Sequence, residues 1–290
     1  MAQGALLLPR SYKPQQFARV NSAHPMARKL MAFFYHAGSA TTGPVLWDAV
    51  KGIPGLGVAN ITYKATSEGG ALACAAPARV SYTGIRNQNA SQSDRCTVIA
   101  RMRLTTAPAS TCYPVCLTGN TTSSRGVAVG FTSAGFVAGA ESGTNGMIPG
   151  VGTVNRLNQW VTVGASANTT TALDRVAPQV AGRVWENGAR GATTTVSGST
   201  SATITLDRIN VGRDGTGYFG TFTGDIAWFA AFNNLLTDEE HAWWHRNAFE
   251  VLEQTRNYSF FAFPEVAGGA TFTPQSNRAI LQAVNRASTF

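Results

Sequence analysis

The chain has 290 residues, of which 44% are apolar and only 13% are charged, and this apolar fraction excludes a wholly disordered chain. No run approaches the roughly 20 apolar residues of a transmembrane helix, so no membrane partner is expected. The net charge is +8, but the arginines are scattered along the sequence, and the absence of a basic run or stripe disfavours nucleic acid as a partner.

The chain begins with a segment that shows no hydrophobic period. Residues 1–23 are punctuated by proline and are predicted to form an extended arm. The run of three leucines within MAQGALLLPR is too short for a secretory signal, so no export signal is expected. Residues 264–290 return to proline and glycine and are predicted to form a second arm.

Between the arms, residues 24–263 consist of short alternating segments separated by Gly, Asn, Ser and Thr, which is typical of a β-sandwich or barrel. In 97–104 the even-numbered residues are apolar, whereas Thr97, Arg101 and Arg103 lie on the opposite face of a half-buried strand. Residues 225–232 are apolar on both faces, which favours a central strand. The other predicted strands are 159–165, 183–186, 203–206 and 209–211.

Two local signals mark a turn and a helix. Asn187 and Gly188 both tolerate the positive φ of a type I′ turn, so a β-hairpin is predicted at this point. Thr237 and Glu240 form a capping-box pattern, which predicts a helix from there to about residue 252. The helix is expected to bury the residues at helical spacing, namely Trp244, Ala248 and Val251 or Leu252.

The order of these elements resembles the concanavalin A-like, laminin-G-like jelly roll family. Its members commonly show a Trp-bearing strand, an Asn/Asp-Gly hairpin, and a closing F-x-G-x-I segment followed by L-S/T-x-E-E. The matching positions are Trp160, Asn187-Gly188, Val211-Gly212, 222–226 and 236–240. The resemblance implies an all-β, antiparallel jelly roll sandwich with one short C-terminal helix between the two extended arms.

The flanks, LLLPRSYKPQQFARV at the start and NYSFFAFP near the end, resemble those of laminin-G-like proteins of tailed bacteriophages. This resemblance implies a non-enzymatic structural or decoration protein of the virion, assembled in the bacterial cytoplasm. Its arms would bind neighbouring capsid or tail subunits and other copies of itself. Because arginine pairs bidentately with carboxylates, we interpret the basic excess as docking chemistry toward an acidic partner, with a compositional bias as the alternative. The expected assembly contacts are Arg10, Tyr12, Arg19, Phe260, Phe261, Phe263, Phe272 and Phe290.

An alternative from another class is a carbohydrate-binding module for host recognition. Four tryptophans are predicted to point into the core: Trp160, Trp185, Trp228 and Trp244. Trp243 must face about 100° away from Trp244 on a helix, so Trp243 and Tyr218 are the candidate contacts with a glycan.

A glycoside hydrolase is the least favoured alternative, since it needs two facing carboxylates and the chain has no E-x-D-x-E triplet. The acids at 238–240 are explained by helix capping, which leaves only a pairing such as Glu141 with Glu186 by tertiary proximity. No G-x-S-x-G nucleophile motif and no P-loop occur. The chain is therefore not expected to be an enzyme.

The histidine, aspartate and cysteine residues of the sequence do not predict a metal centre or a reactive thiol. His241 and His245 share a helix face, but Ala242 stands where a metalloprotease has Glu, so a surface or interface histidine pair is predicted. Some laminin-G-like domains bind calcium, and by position Asp214 and Asp225 are weak candidates, although one site normally gathers several carboxylates. No cofactor is expected. Buried free thiols are predicted for Cys74, Cys96, Cys112 and Cys116.

Overall fold

A computed structural model describes residues 18–37, 45–54, 59–82, 95–119, 125–143, 146–168, 179–181, 183–191, 194–196, 206–211 and 221–253. The chain divides into two units, Met1–Gln254 and Thr255–Phe290, and all described residues belong to the first. Within them, no helix is both long and apolar enough to span a membrane.

The described residues form antiparallel strands and one α-helix. The strands are β1 (Leu30–Ala37), β2 (Val45–Asp48), β3 (Ile53–Pro54), β4 (Ala59–Thr66), β5 (Gly69–Tyr82), β6 (Arg95–Thr106), β7 (Cys112–Gly119), β8 (Arg125–Phe131), β9 (Phe136–Gly143), β10 (Gly146–Asn155), β11 (Trp160–Asn168), β12 (Gln179–Ala181), β13 (Arg183–Glu186), β14 (Ala189–Arg190), β15 (Thr194–Val196), β16 (Leu206–Val211) and β17 (Thr223–Phe232). The helix α1 spans Asp238–Asn247 and is followed by a 3₁₀ turn at Ala248–Val251.

Two sheets share the long strand β5. The first sheet has the order β3-β2-β1-β17-β6-β11-β13-β14, and the second has the order β10-β9-β8-β7-β16-β5. Residues 72–74 of β5 pair with β17 in the first sheet, whereas residues 80–82 pair with β16 in the second. Strand β4 pairs with β5, and β12 pairs with β15 in a separate two-stranded ribbon. The predicted all-β sandwich is confirmed.

The main core lies between the two sheets. Strand β6 contributes its even-numbered residues from Cys96 to Leu104, and these pack in one buried cluster with Val115 and Leu117 of β7 and Val127 and Val129 of β8. Strand β17 is buried on both faces, because Ile226 and Phe229 enter this cluster while Trp228 and Ala230 enter a second one. The prediction of a central strand at 225–232 is confirmed.

The second cluster lies on the outer face of the first sheet, where α1 and its 3₁₀ turn cover part of the surface. The ring of Trp244, on α1, meets Phe33 and Phe232 edge to face at 5.5 and 5.0 Å. The helix begins with the predicted capping box: Glu240 N donates to Thr237 Oγ1 at 3.2 Å, and Thr237 N donates to Glu240 Oε2 at 2.8 Å.

Residues 18–23, which are the described part of the predicted N-terminal arm, lie against this cluster. The N–H of Ala18 donates to the Tyr35 hydroxyl at 2.8 Å, and Trp47 Nε1 donates to the Ala18 carbonyl at 2.6 Å. The N–H of Glu253 donates to the carbonyl of Arg19 at 2.7 Å. Residues 1–17 and 254–290 lie outside the described residues, and so does the predicted boundary at 263/264.

Candidate functional site

The outer face of the first sheet is polar where α1 does not cover it. Odd-numbered residues of β6 point away from the main core, so Arg101 and Arg103 lie on this face. The register places Arg103 between Trp160 of β11 and Asp225 of β17, and it places Arg101 opposite Thr162. We call this surface the sheet-face site and define it by Lys64, Arg101, Arg103, Trp160, Thr162 and Asp225.

Asp225 lies at the centre of the site and is ion-paired with two cations. Arg103 donates from Nε and Nη2 to Oδ2 of Asp225, at 2.9 and 2.6 Å. Lys64 Nζ lies 2.7 Å from Oδ1 of the same carboxylate. Because the carboxylate is almost fully buried, the two cations offset its desolvation, and removing either leaves a poorly compensated buried charge.

Arg101 lies between Glu68 and Thr162, and the Thr162 hydroxyl also contacts the helix. Its Nη2 donates to Oε1 of Glu68 at 2.8 Å, and its Nη1 lies 3.4 Å from the hydroxyl of Thr162. Nδ1 of His245, on α1, lies 3.0 Å from the same hydroxyl. Burial lowers the pKa of His245 below its ordinary value, and the nearby Arg101 and Arg246 lower it further, so a neutral imidazole borders the site.

Trp160 supplies an aromatic surface beside these charges. Its side chain is half-buried, and the guanidinium carbon of Arg103 lies 5.1 Å from the ring centroid, within cation–π distance. Trp160 does not enter the main core, as its prediction as a core residue would suggest, but packs against the second cluster. Val161 and Val163 occupy the core positions of β11, so Trp160 must lie on the opposite face of the strand.

The β13–β14 hairpin borders the site on the far side of β11. Asn187 and Gly188 have φ of 50° and 80°, which confirms the predicted positive-φ turn. Asn187 Oδ1 accepts a hydrogen bond from the N–H of Thr162 at 3.0 Å. A Cβ on Gly188 would lie 2.6 Å from Cα of Ala242, so the glycine is required for the hairpin to contact α1.

His241 is buried, so the predicted surface histidine pair is wrong. Its ring stacks on Trp185 at 3.9 Å between centroids, and Trp185 Nε1 donates to Asp238 Oδ1 at 2.7 Å. A Cβ on Gly164 would lie 2.7 Å from the imidazole, so the ring fills the space above that glycine. Burial lowers the pKa of His241 to about 3. His245, one turn later, is half-buried.

The other candidate residues have varied placements. Trp185, Trp228 and Trp244 are buried as predicted. Trp243 is half-buried, with its ring 5.1 Å from His24 and 5.5 Å from Trp244 between centroids. Arg19 is exposed. The remaining candidates lie outside the described residues: Tyr218, Asp214, Arg10, Tyr12, Phe260, Phe261, Phe263, Phe272 and Phe290.

The predicted acid and thiol positions have local explanations. Glu186 pairs with Arg156, whereas the side chain of Glu141 is outside the described part. All four cysteines are buried thiols, as predicted. Asp225, a weak calcium candidate, lies against two cations, an environment unlike that of a calcium ligand. Across the described ranges, no group of three or more His, Cys, Asp and Glu residues is placed to hold a metal ion.

Comparison with known proteins establishes the fold. No protein-family model and no curated sequence matches the chain. Among solved structures, it is similar to a Trypanosoma rangeli sialidase in complex with the inhibitor DANA (TM-score 0.52, 13% identity, 76% of this chain and 33% of that one). It is also similar to the binding domain of Paraclostridial Mosquitocidal Protein 1 (0.53, 9%, 77% and 53%) and to the binding domain of Botulinum Neurotoxin DC in complex with SialylT (0.51, 13%, 77% and 52%).

The chain thus spans a third to a half of the length of these neighbours. At identities of 9 to 13% the likeness concerns the fold. The described residues form an antiparallel, jelly-roll-like β-sandwich.

Proposed function

We propose that this chain is a non-enzymatic carbohydrate-binding module and that the sheet-face site contacts the sugar. The observation that carries the proposal is the position of Trp160 beside a fixed set of planar hydrogen-bonding groups on a partly exposed sheet face. The fold neighbours support it further, since one is a toxin binding domain in complex with SialylT and another is a sialidase with a bound inhibitor.

The chemistry of a sugar ring matches these groups. Each hydroxyl both donates and accepts, so it pairs well with charged partners such as a guanidinium or a carboxylate. The C–H groups of the ring are apolar and pack on an indole. Because Arg101 and Arg103 are held by Glu68 and Asp225, little side-chain entropy is lost on binding.

The same pairs argue against hydrolysis. A glycosidase needs one carboxyl group that donates a proton and another that acts as base or nucleophile. Asp225 is bonded to Arg103 and Lys64, and Glu68 is bonded to Arg101. Both carboxylates are thus engaged in ion pairs with cations, so we propose binding without catalysis.

The proposal is tested by glycan-array binding of the purified chain and two tryptophan variants. Trp160→Ala removes the aromatic surface of the site and is expected to reduce binding at least tenfold. Trp243→Ala makes the same chemical change on α1 and serves as the matched control, with thermal melting to show that both variants fold.

The two variants separate the possible outcomes. Loss of binding only in Trp243→Ala would show that the sugar contacts Trp243, as predicted from the sequence, and not the sheet-face site. Failure of the unmodified chain to bind any glycan would contradict the proposed function itself. The virion role stays a prediction, because most of the residues assigned to it lie outside the described part of the chain.

A further inference from the structure

We infer that the sheet-face site selects a sugar that carries a carboxylate; this inference rests on the proposed function and specifies its ligand. It follows from how the charged side chains of the site are exposed. Three cations and two carboxylates take part in the ion pairs, but their side chains differ in solvent exposure.

In the ion pairs of Asp225 with Lys64 and Arg103, the carboxylate is buried and the two cations are partly exposed to solvent. The side chain of Asp225 is 1% exposed, whereas those of Lys64 and Arg103 are 44% and 28% exposed. A ligand that approaches the sheet face therefore meets the ammonium and guanidinium groups before it meets the carboxylate. Dissolved ions and water weaken the attraction between exposed charges. A ligand in direct contact with both cations displaces much of the solvent between them and is therefore attracted more strongly.

The surroundings add to the positive potential. Arg101 is paired with Glu68, and Arg246, in the last turn of α1, lies close enough to lower the pKa of His245. Lys64, Arg101 and Arg103 thus stand against Asp225 and Glu68, an excess of one positive charge in the ion pairs, and Arg246 adds a further cation near His245. This local excess is not apparent in the sequence, because its members come from β4, β6 and α1.

The geometry of Arg103 suits a carboxylate in particular. A guanidinium has five N–H donors in a rigid plane, and the bonds from Nε and Nη2 to Asp225 do not use all of them. The plane is already fixed by Asp225 and by the ring of Trp160. A sugar carboxylate can then bind the remaining donors together with Lys64, while the sugar ring packs beside the indole.

The test uses an array of sialylated and uronic-acid oligosaccharides with their neutral counterparts, followed by titration of 3′-sialyllactose and lactose. The unmodified chain is expected to bind the acidic member of the best pair at least tenfold more tightly. This preference should decrease as the salt concentration rises, because the ligand and the cations are partly exposed.

Two charge variants with opposite expected effects make the test specific. Lys64→Gln removes an exposed cation and should weaken binding of the acidic sugar roughly three- to tenfold, without affecting the neutral one. Glu68→Gln removes the acid paired with Arg101 and should strengthen binding of the acidic sugar by a similar factor. Lys51→Gln, an exposed lysine in the turn between β2 and β3, is the matched control for net charge.

The results distinguish this inference from the proposed function. If neutral sugars bind as tightly as acidic ones and Trp160→Ala abolishes both, the site binds carbohydrate but the selectivity is overturned. The same conclusion follows if Lys64→Gln and Glu68→Gln change affinity in the same direction. If no sugar of either kind binds, the proposed function fails, and the inference fails with it.

Discussion

His241 is a buried histidine enclosed by an aromatic ring and a glycine backbone. Its imidazole is 2% exposed, lies between Trp185 and the backbone of Gly164, and leaves Nε2 without a hydrogen-bond partner among the described residues. Protonation would place a charge in this space with only Asp238 to favour it. The folded chain therefore keeps His241 neutral.

This environment predicts that stability falls in mild acid. The ordinary pKa of histidine is 6.5, and burial lowers that of His241 to about 3, so the unfolded chain binds more protons in this range. Stability is lost as the pH falls from about 6.5 toward 3, by up to ~1.4 kcal/mol per pH unit. Between pH 7 and 5, the free energy of unfolding should fall by about 2 kcal/mol more in the unmodified chain than in His241→Phe.

Urea unfolding at the two pH values measures this difference. Phenylalanine keeps a flat ring against Trp185 and cannot be protonated, so other titrating groups contribute equally to both proteins. Parallel pH profiles for the two proteins would show that His241 does not titrate between the folded and unfolded states.

Single residues also show what the sequence can and cannot predict. The alternation in 97–104 places Arg101 and Arg103 on the outer face, and the structure confirms it. The same rule applied to Val161 and Val163 would have placed Trp160 there as well. The partners of Asp225 depend on strand register, which joins residues about 120 positions apart in sequence, and no local pattern contains that information.

Among the secondary-structure elements, α1 is the one whose first residue is most clearly determined by the local sequence. The capping box pairs Thr237 with Glu240, and Glu240 also accepts from Lys29 Nζ at 2.7 and 2.9 Å. Thr237→Ala should lower the free energy of unfolding by ~1 kcal/mol, because the N–H of Glu240 loses its acceptor. Thr237→Ser keeps the hydroxyl and should lose much less.

Chemical denaturation of the three proteins measures the effect of the cap. Equal stability of Thr237→Ala and Thr237→Ser would mean that the hydroxyl contributes nothing. A loss well above 2 kcal/mol in the alanine variant would indicate that the cap also orders the contact between α1 and the sheet.

The elements that the sequence predicts well are those with their own local signal. Strands β6, β11, β13 and β17, the Asn187–Gly188 turn and α1 follow from alternation, turn residues or a cap. No strand is predicted from the sequence for residues 52–71, yet these residues contribute to β3, β4 and β5. Strand β4 does carry a period-2 pattern, since Ala59, Ile61, Tyr63 and Ala65 alternate with polar residues, so alternation was a local signal that could have located it.

At the scale of the whole molecule, residues 265–290 are predicted to form an arm that acts in assembly. The described members of both clusters lie between residues 18 and 252. Deleting residues 265–290 is expected to leave a folded monomer that no longer joins the predicted assembly, because the arm contacts that order on assembly are lost.

Light scattering of the full chain and the truncated chain tests the assembly role of the arm, with thermal melting to confirm that both fold. Normal assembly of the truncated chain would contradict the arm model. Assembly of neither protein would leave only the carbohydrate-binding proposal for this sandwich.

The hydrogen bond between the N–H of Glu253 and the carbonyl of Arg19 brings the two ends of the described sandwich together. Val20 also bridges Leu252, and the N–H of Asn21 donates to the carbonyl of Val251 at 2.8 Å, so the first and last described residues of the sandwich are neighbours. A host polypeptide stays nearly continuous when a domain with adjacent ends is inserted into one of its loops. The described sandwich therefore has the geometry of a domain that can be inserted into a single surface loop of a longer protein.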